Sequence, residues 1–296
     1  MERNFKYIIS EENNGMPISL FLKNLGFSHH VFVSLKKDYG SVVLNQKPVF
    51  LNTILHTFDT LEIFYKETEG SKNILPKELP IEIVYEDDDI ILINKRANMP
   101  VHPSIEHFDD TIANALMHYY NKQNQAIVFR CINRLDLDTT GLILIAKHAI
   151  SGCILSNAMT NREIHREYLA IAQGMIPASG KICAPIARKE DSIIERCVNF
   201  DKGEYALTNF WRISYKDGYS LVKLKLETGR THQIRVHMNY IGHPLPGDYL
   251  YNPYYEKINR QPLHSYKLSF KHPITKENME FSAKLPEDFK AFIQEK

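Results

Sequence analysis

Leu221-Val222-Lys223-Leu224-Lys225-Leu226-Glu227-Thr228-Gly229-Arg230-Thr231-His232-Gln233-Ile234-Arg235-Val236-His237 changes its period halfway, and that change sets the fold. From Leu221 to Leu226 the residues alternate, which puts Val222, Leu224 and Leu226 on one face of a strand and Lys223 and Lys225 on the other. Gly229 breaks the strand. Beyond it Ile234, Met238 and Ile241 recur at helical spacing, with Thr231 as the expected N-cap and Gly242 as the stop. Arg230, His232 and Arg235 crowd the helix start, where free backbone N–H groups already favour anions. Such a cluster suits a phosphate or a buried carboxylate. A solvated polar helix end is the plainer alternative, and the density of cationic groups disfavours it.

Upstream, Ile81 to Tyr85 and Ile90 to Asn94 are strand-like and joined by the acidic turn Glu86 to Asp89. Asp110 is the expected cap of a helix carrying Ile112 and Leu116. Gly141 to Lys147, Tyr168 to Ala172 and Ala206 to Ile213 add further strands. Many strands, few helices and no regular βαβ repeat predict an α+β domain over residues 80–296, built on a mixed, largely antiparallel sheet flanked by helices and loops. Residues 67–79, polar with glycine and proline, read as a linker. Before them, residues 1–66 form a small αα-β unit. In it Ile18, Phe21, Leu22 and Leu25 make one helical stripe, and Val31 and Leu35 a second whose other faces carry Lys36 and Lys37. Val42 to Leu44, a turn at Asn45 to Lys47 and a strand at Leu61 to Tyr65 close the unit.

Composition narrows the class. Of 296 residues 44% are hydrophobic and 24% charged, as in a soluble globular protein. The longest apolar runs are too short to cross a bilayer, and the start, Met1-Glu2-Arg3-Asn4, leads into no signal-peptide core. Four scattered cysteines form no C-x-x-C pair, so neither a zinc site nor a disulfide framework is expected, and a cytoplasmic location is. A net charge of +1 argues against bulk coating of nucleic acid but leaves room for a local basic groove.

Two more segments carry chemistry. Asn133-Arg134-Leu135-Asp136-Leu137-Asp138-Thr139-Thr140-Gly141 is a polar loop feeding a buried strand, a place where scaffolds present function. Its aspartates could equally be turn residues bonding nearby amides. Arg166-Glu167-Tyr168-Leu169-Ala170 through Gly174 puts a tyrosine near the start of a strand, either for base stacking or as an ordinary amphipathic tyrosine. These segments, in this order, resemble the RluA-type pseudouridine synthases of the large-subunit rRNA branch. That family's motifs are His-Arg-Leu-Asp with a following Thr-Ser-Gly, a Tyr-x-Ala strand closing on Gly, and Gly-Arg-Thr-His-Gln-Ile-Arg-Val-His. The third is unchanged from Gly229 to His237. In the first, Asn133 replaces histidine and Thr140 replaces serine. Supporting pieces include Asn94-Lys95, Val101-His102-Pro103-Ser104, Gly247-Asp248 and Leu263-His264. Residues 14–65 resemble the alpha-L RNA-binding module, a short pattern that a plain helical cap would also satisfy.

The resemblance implies the pseudouridine synthase fold and isomerisation of uridine in structured RNA, with ribosomal RNA the first expected substrate and transfer RNA the second. It implies Asp136 as nucleophile or base at the sugar, Arg235 as the cation that keeps it charged, Tyr168 over the uracil, and Arg134 in the space vacated by base flipping. An aspartate is ordinarily ionised at neutral pH, burial works against that, and a nearby cation restores it. Arg230, His232, Lys223 and Lys225 are expected phosphate contacts by charge and position, and Lys36 and Lys37 by their place in the amino-terminal unit. No cofactor, metal, membrane or obligate protein partner is implied, and a monomer is expected. Two rivals remain: a glycoside hydrolase using Asp136 with Asp138, and a non-catalytic RNA-binding protein.

Overall fold

The computed structural model describes residues 1–253 and 258–293, so the last three residues of the expected second domain lie outside it. Chain order is β1 (Glu2–Ile8), α1 (Ile18–Asn24), α2 (His29–Lys37), β2 (Val42–Leu44), β3 (Lys47–Pro48) and β4 (Thr60–Lys66). These make a four-stranded sheet ordered β1-β4-β2-β3, with the helices against it. The hairpin turns at Asn45 and Gln46, both at positive φ as a two-residue hairpin turn requires. β1 is absent from the sequence reading. Only Phe5 of its seven residues is buried, so its pattern carries almost no apolar signal.

Next come β5 (Glu82–Glu86), β6 (Ile90–Lys95), α3 (Ile112–Asn121), β7 (Arg130–Cys131), β8 (Thr140–Ala146), α4 (Ala149–Thr160) and β9 (His165–Gln173). Then follow β10 (Ser179–Cys183), β11 (Ile186–Arg188), β12 (Arg196–Val198), β13 (Leu207–Lys216), β14 (Tyr219–Leu226), α5 (Gln233–Tyr240), β15 (Leu263–Lys271), β16 (Asn278–Ser282) and α6 (Glu287–Ile293). The large sheet runs β10-β13-β14-β9-β15-β8-β6-β5, with β16 on β15 and β7 on β8. It is α+β and antiparallel except where β15 lies parallel to β8, at His264 opposite Thr140 and Ser265 opposite Gly141. α3 starts at Thr111, not at the expected Asp110, because Thr111 and Asn114 satisfy each other's amides in a capping box.

β6 and β8 are apolar on both faces, since each face has its own cover. Ile91, Ile93, Ile143 and Ile145 meet α3 and α5, whereas Ile90, Leu92, Leu142 and Leu144 meet α4. The amino-terminal unit shares the back of α4 through Ala149 and Ile150. Polar ties reinforce the junction. Arg3 bonds Asp88 and Asp89 at 2.7 and 3.0 Å, and Glu67 accepts from Arg130 at 2.7 Å and from the Ala149 amide at 3.2 Å. Residues 67–79 lie along the domain rather than spanning a gap: Ser71 N–H donates to Ile127, Lys77 N–H to Asn114, and Ile74 and Leu79 pack on the core.

The parallel crossing dictates one glycine. Gly141 has φ +108°, and a Cβ there would stand 2.2 Å from the Ser265 carbonyl oxygen, a backbone atom that cannot step aside. Gly141→Ala is expected to cost more than about 4 kcal/mol, read as loss of soluble protein or a large fall in the urea midpoint. A variant with near-normal stability would show that β8 and β15 separate freely.

Candidate active site

Asp136 sits in the loop between β7 and β8, and three anchors fix that loop. The Asn133 amide donates to Leu142 C=O at 3.0 Å and accepts the Leu144 N–H at 2.8 Å, acting as an extra strand beside β8. Leu135 is buried in the core. The Lys95 ammonium donates to the carbonyls of Arg96, Met99 and Leu137, at 2.9, 2.9 and 2.6 Å. Burial pushes the Lys95 amine down to about 7, with the Asp138 and Asp136 carboxylates acting against it. Held this way, Arg134 points to solvent and Asp136, two residues on, is half-buried in the cleft.

On the other wall, α5 begins at Gln233, with His232 at the N-cap in the left-handed region at φ 57°. Thr231 is therefore not the cap. Its expected job falls to Gln233, whose Oε1 accepts from Arg230 N–H at 3.0 Å and Thr228 Oγ1 at 2.8 Å. Gln233 Nε2 in turn donates to Leu207 C=O and Thr208 Oγ1, which ties the turn to β13. One helical turn on, Arg235 points inward and is 1% exposed. Its Nε and Nη2 each donate at 2.7 Å to the two oxygens of Asp248, and its Nη1 donates at 3.0 Å to Asp136 Oδ2. Burial alone would lower the guanidinium's pKa, but Asp248 and Asp136 outweigh it and raise it further. The rings of Tyr251 and Tyr249 lie 5.1 and 5.7 Å from its central carbon.

Tyr168, buried on β9, lines the same inner chamber of about 70 Å³ as Asp136 and Arg235. Burial raises its phenol pKa, so the hydroxyl keeps its proton at neutral pH. The chamber adjoins an outer basin of about 910 Å³ with His102, Arg134 and Arg196 in its walls. His232 Nε2 stands 3.9 Å from Asp136 Oδ2, its Nδ1 bonds the Tyr251 hydroxyl at 3.0 Å, and burial lowers its pKa. The Cys131 thiol in the basin wall is pushed up to about 12 by burial, which rules it out as a thiolate nucleophile. Asp138 lines neither space. It accepts the Asn98 N–H at 3.3 Å, so the carboxylate pair that a glycoside hydrolase needs is not built here.

The structure thus brings Asp136, Arg235, Tyr168, Arg134, Arg230 and His232 together. It leaves four expected contacts elsewhere. Lys223 and Lys225 pair across β9 with Leu169 and Glu167, on the face of the sheet turned away from Tyr168. Lys223 lies 5.2 Å over the Trp211 ring. Alternation alone separates two faces but does not say which one holds the site. Lys36 and Lys37 are exposed at the end of α2 in the amino-terminal unit and line neither space. Arg230 does line the cleft, but its guanidinium is engaged with the Glu204 carboxylate and the Tyr205 carbonyl. Sequence reasoning gave no role to Asp248, Gln233 or Lys95. Asp248 was visible only as the polar residue after Gly247, 13 residues beyond Arg235, with no periodicity to link them.

A model of the family described as RNA pseudouridylate synthase matches residues 89–240. The chain belongs to that family. Over 280 residues it is 40% identical to the Bacillus subtilis (strain 168) uncharacterized RNA pseudouridine synthase YjbO, covering 94% of this chain and 99% of that protein. It is 38% identical to the Escherichia coli (strain K12) ribosomal large subunit pseudouridine synthase D, covering 77% of this chain and 74% of that one. The solved structure of human RNA pseudouridylate synthase domain containing 1 superposes with a TM-score of 0.60 at 25% identity, covering 73% of this chain and 86% of that one. The protein is a pseudouridine synthase of the RluA type, an isomerase that converts uridine to pseudouridine in RNA. Among the described residues no helix is long and apolar enough to cross a membrane.

Replacing Asp248 with asparagine leaves Arg235 buried beside one half-exposed carboxylate. Asp248→Asn is expected to cost about 3–5 kcal/mol in urea denaturation, the usual cost of stripping one partner from a buried ion pair. A loss below about 1 kcal/mol would mean that Asp136 alone satisfies Arg235.

Proposed function

We propose that Asp136 is the catalytic carboxylate, acting as nucleophile or base at C1′ of a uridine flipped out of ribosomal RNA. The observation that carries this reading is the 3.0 Å bond from Arg235 Nη1 to Asp136 Oδ2 at the mouth of the inner chamber. A carboxylate at a sugar carbon must be ionised and must keep a reactive oxygen free. Arg235 supplies the charge. Because Asp248 takes its other two donors, it meets Asp136 through a single bond. The reaction breaks the N1–C1′ bond, turns the uracil within the chamber and rejoins it through C5, while a proton leaves C5 and one is gained at N1. Tyr168, with its phenol protonated, covers the base and assists the C5 proton transfer.

Arg134 fits the flipping role. Its guanidinium makes no hydrogen bond or ion pair among the described residues, and it stands exposed at the edge of both spaces. A flat cation of this kind can stack where a base has left. Asn133 has no such freedom, since both ends of its amide are bonded to β8. Ribosomal RNA is favoured over transfer RNA by the name of the large-subunit relative. We assign residues 1–66 to an alpha-L type RNA-binding module, residues 67–79 to the segment that joins it to the catalytic domain from residue 80, and Lys36 and Lys37 to phosphate contacts on the module's exposed surface. The protein acts as a monomer in the cytoplasm, where its four free cysteines stay reduced.

Asp136→Ala is expected to abolish pseudouridine formation while RNA binding persists. Mapping pseudouridines in total RNA from cells carrying only that variant tests both the residue and the substrate. Retention of every site in ribosomal and transfer RNA would overturn the assignment. Arg235→Lys keeps the charge but not the three-way geometry, so most activity is expected to be lost even where the protein folds.

A further inference from the structure

Arg166 stands two residues before Tyr168 on β9 and faces the same way, and it lines both the outer basin and the inner chamber. Arg134, Asp136 and Gly229 also line both, so Arg166 is at the throat where the two spaces join. Like Arg134, it is not held by a protein carboxylate among the described residues. Arg235 is held by two carboxylates and Arg230 by one, whereas Arg166 has no ion pair among the described residues. Its Nη2 reaches only the Thr228 carbonyl, at 3.5 Å, and its Nε–H is shielded from solvent with no acceptor at all. Arg166 is half-buried, and its shielded Nε–H has lost water without gaining a partner, which is costly unless a ligand brings the missing acceptor.

A second feature shows that the space is reserved for this side chain. A Cβ built on Gly229 would meet Arg166 and nothing nearer: Nη1 at 2.8 Å, Nη2 at 3.3 Å and the central carbon at 3.5 Å. The glycine before α5 therefore leaves a slot that the Nη edge of the guanidinium occupies. For a flipped nucleotide the base goes inward, and the sugar-phosphate stays in the throat.

We propose that Arg166 is a positioning residue that grips a phosphate beside the target uridine, seating the C1′ carbon over Asp136. This deepens the proposed function and rests on it. The chemistry is that of a fork of N–H donors meeting a monoanionic phosphodiester, from a guanidinium that no protein carboxylate holds.

The test uses fluorescein-labelled decauridylate and the full-length protein across a salt series. Arg166→Met should weaken binding about tenfold or more, as for loss of a charge-assisted hydrogen bond. The slope of log affinity against log salt should become shallower by about 0.7, the value for one single-strand phosphate contact. Arg166→Lys should recover the slope but only part of the affinity. Gly229→Ala, which pushes the guanidinium out of its slot, should weaken binding in the same direction. The Arg166→Met protein should unfold at the same or a higher temperature than the wild type, because a shielded donor without an acceptor has been removed. A merely structural arginine would give a lower one. Arg166→Met binding with unchanged affinity and slope overturns the proposal, as does a wild-type protein that does not bind decauridylate. If instead Asp136→Ala cells keep every pseudouridine while Arg166→Met still loses the salt slope, the catalytic reading falls and the phosphate grip stands.

Discussion

Everything in the cleft is referred to a buried guanidinium. Arg235 on α5, Asp248 in the segment after it and Asp136 in the β7–β8 loop belong to three separate stretches of chain, and the ionic contact among them is what holds those stretches in one place. Asp248 closes two of the three bonds and is itself wholly buried, accepting the Leu250 and Tyr251 N–H groups as well. The arrangement divides labour. One carboxylate neutralises and orients the arginine, and the other is left half-exposed in the cleft.

Around that contact, the loop bearing Asp136 is shaped by groups that never touch a substrate. The Lys95 ammonium gathers three carbonyls, one of them the carbonyl next to Asp136, and Asn133 stands in for a strand edge. Gln233 does the same for the turn before α5 by accepting the N–H and hydroxyl that no cap residue serves. Side chains that bond backbone replace the regular ladder where the chain must leave the sheet to present function. Asn133 is engaged in backbone support, and Arg134 beside it is the group that reaches outward.

The sheet, its α+β character and the strand-to-helix change at Gly229 were legible because strong alternation and helical periodicity leave a mark in order. Asp136 and Arg235 were legible through motif context. What stayed hidden follows from distance along the chain. Nothing near Asp248 indicates that it meets a residue 13 positions earlier, and the Lys95 carbonyl clamp joins segments 42 residues apart. Lys223 and Lys225 misled for a different reason: an amphipathic strand states its two faces but not which one the fold covers. β1 escaped because an edge strand with one buried residue has no pattern to read.

The sheet's order has a further consequence in time. β8 and β9 are neighbours in sequence but not in space. The strand between them, β15, ends at Lys271, near the end of the chain. During synthesis the two halves of the cleft therefore emerge with a missing middle, and the wall that carries Asp136 has no parallel neighbour until Lys271 has left the ribosome. Long-range pairing of this sort is slow to form and late. The cleft comes of age all at once, so a still-tethered chain has both of its walls without the strand that joins them.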